Sequence, residues 1–465
     1  MIETLRAAID KGATTSRAVV ESCLERALSG EGARTFIHLF ADAARAEADA
    51  VDRRQRAGIW TGLLGGIPIS VKDLFDIRGL PTTAGSTVLA DAPAAAADAV
   101  VIERLRAAGA IIVGRTNMTE FAFSGLGLNP HYGTPANPFE RPSRRIPGGS
   151  SSGAAVSICD EMAVAAIGTD TGGSVRIPAA FCGLTGFKPT QARVPLDGVL
   201  PLSKSLDSVG PLGRSVNCCR ILDAVLSGQR YQTPRPVDLR ALRIAVPTTR
   251  VFDDIDAHVA RTFDRVISFL ADGGAQITRI AVPEFAEVGQ AAEVATFPAT
   301  EGFAWHRDLL ARAKDRYDPR VAERLERGRR ISAADYLWLV AQRNQLMASM
   351  RARAAAFDVL AMPTVPITAP LITDLESDDD LYHRLNLLVL RNPTLVNFLD
   401  GCALSLPCHR EGDAPVGLML ARFDSADDTV LAIGNAIETT LTAIRVEANS
   451  SQPRGGVAAE LKAAK

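Results

Sequence analysis

The chain has 465 residues, 47% of them hydrophobic and 22% charged, with a formal net charge of −2. That near-neutral balance gives no global attraction to nucleic acid or to an acidic membrane, and neither is expected as a partner. No run of about 18 uncharged apolar residues occurs, so no membrane span is expected.

In chain order, the first sixty residues read as helices, with a Thr-Thr-Ser start at 14–16 and an Ala/Arg/Glu-rich helix from about Phe40 to Gly58. Strand-like runs follow at 67–71 and 110–114, with a helical stretch at 98–108 between them. Further on come strand-like runs at 242–246, 358–362, 403–407 and 416–420, and helical stretches at 255–272 and 333–357. Interleaved strands and helices predict an α/β fold with a large mixed, mostly parallel central sheet covered by helices on both faces. The expected organisation is an N-terminal helical segment (1–60) packed on a single α/β domain (61–447). Residues 448–465, rich in Ser, Gly, Lys and Ala, are expected to form a mobile tail.

Three segments carry chemistry. Residues 168–176 read Gly-Thr-Asp-Thr-Gly-Gly-Ser-Val-Arg. Paired glycines let the backbone turn tightly, so that several N–H groups point into one space beside the Ser174 hydroxyl. A nucleophile next to such donors is what acyl transfer requires, although a plain turn or a phosphate cradle would use the same residues. Residues 147–153 read Pro-Gly-Gly-Ser-Ser-Ser-Gly and contain Ser150. Residues 67–73 read Ile-Pro-Ile-Ser-Val-Lys-Asp, so that Lys72 ends a strand-like run. A lysine in an apolar interior loses hydration and shifts toward its neutral form, which can activate a serine without histidine. The stretch 149–153 also matches the G-x-S-x-G nucleophile elbow, with Ser151 as nucleophile. The polar, proline-broken segment before it is not the strand that elbow needs.

Together with Gly65-Gly-Ile-Pro-Ile-Ser-Val-Lys-Asp and Gly114-Arg-Thr-Asn-Met-Thr-Glu-Phe-Ala, these segments closely resemble the amidase signature family, near-continuously over residues 63–213. The resemblance implies a Ser-cisSer-Lys triad: Ser174 as nucleophile, Ser150 as bridging serine after a cis Gly149–Ser150 peptide, and Lys72 as base. It implies hydrolysis of a small-molecule amide with release of ammonia, through an acyl-enzyme on Ser174. The oxyanion is expected on the N–H groups of Thr171, Gly172, Gly173 and Ser174. Asp170 and Arg176 read as an ion pair that fixes the loop. Met118, Phe121, Tyr132 and Gly149 are candidate substrate contacts, and the variable walls are expected from 118–132, 296–310, 332–347 and 382–400. No cofactor is implied, and related free-standing amidases suggest a homodimer.

None of the six histidines lies in a recognisable catalytic or metal motif, and no cysteine pair has zinc-ribbon spacing, so no metal is expected. Seven cysteines, an odd number scattered mostly through apolar segments, read as reduced thiols of a cytoplasmic protein. The charged N-terminus lacks the apolar core of a secretion signal.

Two other functions share parts of this pattern. The glutamine-hydrolysing component of a tRNA-dependent amidotransferase carries the same signature but must hold the charged ends of glutamine, in its family with an Arg and an Asp. Alignment puts Gln345 and Leu390 at those positions, with Arg343 and Arg391 close by, which favours a free-standing amidase. A non-catalytic binder that holds an anion in the Gly-rich loop is the third reading.

Overall fold

A computed structural model describes the backbone of residues 1–450 and the side chains of residues 1–442. Among the described residues eleven strands form one sheet. They are β1 (Phe36–Leu39), β2 (Pro68–Lys72), β3 (Ile111–Thr116), β4 (Ala165–Thr169), β5 (Thr185–Lys188), β6 (Val209–Gly213), β7 (Arg243–Pro247), β8 (Gln276–Ile280), β9 (Val359–Pro363), β10 (Cys402–Pro407) and β11 (Gly417–Arg422). Their order across the sheet is β1-β3-β2-β4-β6-β5-β10-β11-β9-β7-β8.

Both faces of this sheet are buried. Along β4, Ile167 joins an apolar cluster with Ile69, Val71 and Leu222, whereas its neighbour Ala166 joins Ala154, Ala155 and Ala179 in another. Along β7, Ile244 and Val246 meet Phe263, while Ala245 meets Leu339 and Met350. Alternate residues of one strand feed opposite layers, as the two-residue repeat of a strand requires. The helices begin where their capping residues stand. Thr15 accepts from the Ala18 N–H at the head of Ser16–Ala27, and Ser332 forms a capping box with Asp335 at the head of Ala333–Ala354.

The α/β class stands, but the sheet is not mostly parallel. Only β2/β3, β2/β4, β7/β8 and β7/β9 run parallel; the other six pairings are antiparallel. β10 and β11 are joined by a short connection with no helix, which permits a hairpin but no parallel crossover. β5 and β6 read Thr-Gly-Phe-Lys and Val-Gly-Pro-Leu-Gly, so glycine and proline hide their strand character. The N-terminal sixty residues are likewise not all helical, because β1 pairs antiparallel with β3. It is four residues long, too short for a periodic signal. The tail expected from 448 lies outside the described residues, except that the backbone of 448–450 continues the helix Asp427–Ser450. Among the described residues no helix is long and apolar enough to cross a membrane.

The topology sets up a site. β2 and β4 are adjacent and parallel, so Lys72 and Thr169 end side by side at the carboxyl edge of the sheet, where α/β proteins bind ligands.

Candidate active site

Every residue of β2 is buried, and Lys72 has no exposed surface. Its Nζ donates to Ser150 Oγ at 2.7 Å and to Thr169 Oγ1 at 2.9 Å. Burial strips the ammonium of water and pulls its pKa down to about 7, against the opposing attraction of Asp207 and Asp170. The amine therefore populates its neutral form near pH 7.

Ser150 follows a cis peptide from Gly149. Its carbonyl accepts from the Thr119 N–H at 3.0 Å, and the Ser151 N–H donates to the Ser174 carbonyl at 3.3 Å. The segments holding Ser150 and Ser174 are thus bonded to each other through their backbones. Only glycine fits at 149, where a Cβ would lie 2.6 Å from the Gly127 nitrogen.

The 170–175 loop is organised by the Asp170 carboxylate. It accepts from the N–H groups of Gly173 (2.8 Å), Val175 (3.2 Å) and Arg176 (3.3 Å), from Arg176 Nε (3.0 Å) and from Asn397 Nδ2 (2.9 Å). Burial alone would raise the Asp170 pKa. The Arg176 guanidinium, helped by Lys188 and Asn397, outweighs that and holds the carboxyl well below its ordinary range. Asp170 and Arg176 thus form the ion pair read from the sequence, and Arg176 also reaches the Pro393 carbonyl at 3.1 Å.

Of the four N–H groups expected to meet an oxyanion, that of Gly173 already donates to Asp170 Oδ1 at 2.8 Å. The N–H groups of Thr171, Gly172 and Ser174 have no hydrogen-bond partner among the described residues. Gly173 instead supplies a turn at φ +123°, where a Cβ would sit 2.5 Å from Pro393 Cβ and 2.7 Å from Ile177 Cδ1.

Around this centre the sequence candidates divide. Gly149 directly precedes Ser150 through the cis peptide. Met118 and Phe121 are buried, and the Phe121 ring packs 4.3 Å from His306 and 5.3 Å from Tyr317. Those contacts make it part of an aromatic core cluster. Tyr132 is half-buried. The wall expected from 382–400 does reach the loop: a Cβ at Gly172 would meet Thr394 Oγ1 at 3.1 Å and Leu390 Cδ2 at 3.6 Å. Arg343 and Arg391 are bound to backbone carbonyls, of Phe398 at 2.8 Å and of Val251 at 2.9 Å respectively. Ser151 Oγ is buried without a partner, and no strand leads into it.

Sequence reasoning missed Asp207. Its Oδ1 accepts from Thr171 Oγ1 at 2.5 Å, and its Oδ2 accepts from the N–H groups of Leu202 and Ser203, both at 3.0 Å. Burial pushes its pKa up to about 6 despite these donors. It lies inside the span that resembles the family but in none of the segments quoted for it; recognising β6 as the antiparallel partner of β4 would have found it. Among the described residues no group of three or more His, Cys, Asp and Glu side chains could hold a metal ion.

The chain is similar to known proteins over most of its length. The family model described as Amidase matches residues 18–431. The 2-amino-5-chloromuconic acid deaminase of Comamonas testosteroni is 37% identical, over 86% of this chain and 86% of that protein. In Chloroflexus aurantiacus, the glutamyl-tRNA(Gln) amidotransferase has an A-type component that is 33% identical, over 94% of this chain and 96% of that protein. A crystal structure of an amidase superposes with a TM-score of 0.85 at 33% identity, covering 94% of this chain and 99% of that one. The chain belongs to the amidase signature family and is an enzyme that hydrolyses amide C–N bonds.

Proposed function

We propose that this protein releases ammonia from a small carboxamide through an acyl-enzyme on Ser174, with Ser150 as proton bridge and Lys72 as base. The observation that carries the reading is the 2.7 Å contact of Lys72 Nζ with Ser150 Oγ in a fully buried setting. Neutral Lys72 takes the Ser150 proton while Ser150 takes that of Ser174, and Ser174 Oγ attacks the amide carbon. The developing oxyanion is met by the N–H groups of Thr171, Gly172 and Ser174. The proton returns through Ser150 to the departing nitrogen, which leaves as ammonia. Water then adds to the acyl carbonyl, giving up a proton along the same path, and the carboxylic acid departs from Ser174.

The similarity to the amidotransferase of Chloroflexus aurantiacus keeps glutamine as the second reading. Leu390 and Thr394 beside Gly172, and the engagement of Arg343 and Arg391 by backbone carbonyls, support a free-standing amidase. The test is ammonia release by the purified chain alone from aryl, alkyl and dicarboxylic mono-amides and from glutamine. Turnover of a simple amide that is lost in Ser174→Ala supports the proposal. Turnover of glutamine only, or turnover that survives the substitution, contradicts it.

A further inference from the structure

The register of β4 against β6 has a chemical consequence. Thr169 pairs with Val209 and Gly168 with Gly210. Two further contacts extend the pairing past the strand ends: the Asp170 N–H donates to the Ser208 carbonyl at 2.8 Å, and Ser208 Oγ donates to the Asp170 carbonyl at 2.9 Å. Continued by one more residue, the register sets Thr171 opposite Asp207, and the hydroxyl-to-carboxylate bond between them is the result. Lys72 holds the hydroxyl of Thr169, and Asp207 holds that of Thr171. The base and this carboxylate thus grip the same strand end on either side of Asp170.

We propose, on the amide-hydrolase reading above, that Asp207 is a positioning residue of this site: it fixes Thr171 and the N–H face of the 171–174 loop, and sets its charge against Lys72. It acts through Thr171 and Lys72 and touches no substrate. The electrostatics support this geometry, because Asp207 is the larger of the two charges opposing the burial-driven fall in the Lys72 pKa. The other charge, Asp170, is paired with Arg176, and Asp73 beside Lys72 is paired with Arg115. On its far side Asp207 meets the loop that Glu301 anchors: Glu301 accepts from Ser203 Oγ at 2.8 Å, from the Ser205 N–H at 3.1 Å and from Tyr336 OH at 2.8 Å. The variable wall helix Phe297–Ala313 is thereby connected to the loop that carries the N–H donors.

The experiment is the pH profile of kcat/KM for Asp207→Asn, Thr171→Val and Thr171→Ser, with folding checked by thermal melting. D207N removes the negative charge, so the Lys72 ammonium loses stabilisation and its pKa falls. The acid limb of the profile is expected to move to lower pH by about half a unit or more. T171V loses the hydroxyl and is expected to drop kcat about tenfold with KM within about threefold, without the downward shift. T171S keeps the hydroxyl and is expected to stay within about threefold of wild type. If D207N does not fold, the T171V and T171S pair decides. An unmoved acid limb in folded D207N, or a T171V with wild-type kcat, overturns the proposal. Ser174→Ala run beside them separates the two failures: activity surviving there would bring down the amide-hydrolase reading itself.

Discussion

Arg176 Nη2 lies 2.8 Å from Asp170 Oδ1, and neither side chain is exposed to solvent. The pair underlies the glycine loop, because the same carboxylate orders the Gly173, Val175 and Arg176 N–H groups. Removing one partner leaves the other charge buried and unpaired. Arg176→Gln is therefore expected to lose about 3–5 kcal/mol of stability in urea unfolding. A loss near zero would show that the pair is not structural.

Lys72 links catalysis and stability to pH. With a folded pKa of about 7, the wild-type kcat/KM is expected to rise as pH increases through about 7, as the amine loses its proton. The stability sign follows from linkage. The folded pKa lies below the unfolded value, so between about 7 and 10 the unfolded chain holds a proton that the folded chain lacks. Unfolding therefore becomes harder as pH rises. Against Lys72→Met, the wild type is expected to gain up to about 1.4 kcal/mol per pH unit in that window. Parallel stability curves for the two proteins would contradict the depressed pKa.

The two loop glycines differ in what they tolerate. At Gly173 an added methyl meets packed Pro393 and Ile177 and a positive φ, so Gly173→Ala is expected to lower kcat/KM at least about 100-fold or to prevent folding. At Gly172 the nearest atom is the hydroxyl of Thr394 at 3.1 Å, and no positive φ is required. Gly172→Ala is expected to fold and to keep more activity than Gly173→Ala. The reverse order in a kinetic comparison would refute this loop geometry.

Ser151 offers a control for the competing elbow motif. Its hydroxyl is buried without a partner, so Ser151→Ala removes an unsatisfied group and is expected to leave stability unchanged or slightly raised. Activity within about threefold of wild type is expected on the same amide. A loss comparable to that of Ser174→Ala would move the nucleophile to Ser151.

Much of the site is legible in the sequence because the informative residues are local. The run from Ile67 to Lys72 announces β2 and its terminal lysine, and the two glycine-rich segments announce the turns that carry Ser150 and Ser174. The cis Gly149–Ser150 peptide entered through family resemblance and is present in the structure. What stayed hidden depends on pairing between distant segments. Pro211 and its glycine neighbours disguise β6, and with β6 unseen neither the antiparallel majority of the sheet nor the placement of Asp207 opposite Thr171 could be read. Phe121 was hidden for another reason. Its sequence neighbourhood is that of the site, but its ring meets His306 and Tyr317, residues far away along the chain. The engagement of the Gly173 N–H by Asp170 is likewise a matter of side-chain direction, which the loop sequence alone does not specify.

The most direct measurement of the central claim is peptide-level mass spectrometry after treatment of the purified chain with a fluorophosphonate at about pH 8. The account predicts one stoichiometric phosphonyl adduct on Ser174, absent in Ser174→Ala and formed at least about 100-fold more slowly in Lys72→Met. An adduct on Ser151 or Ser150 in the wild type, or none on a chain that still releases ammonia, would contradict the account.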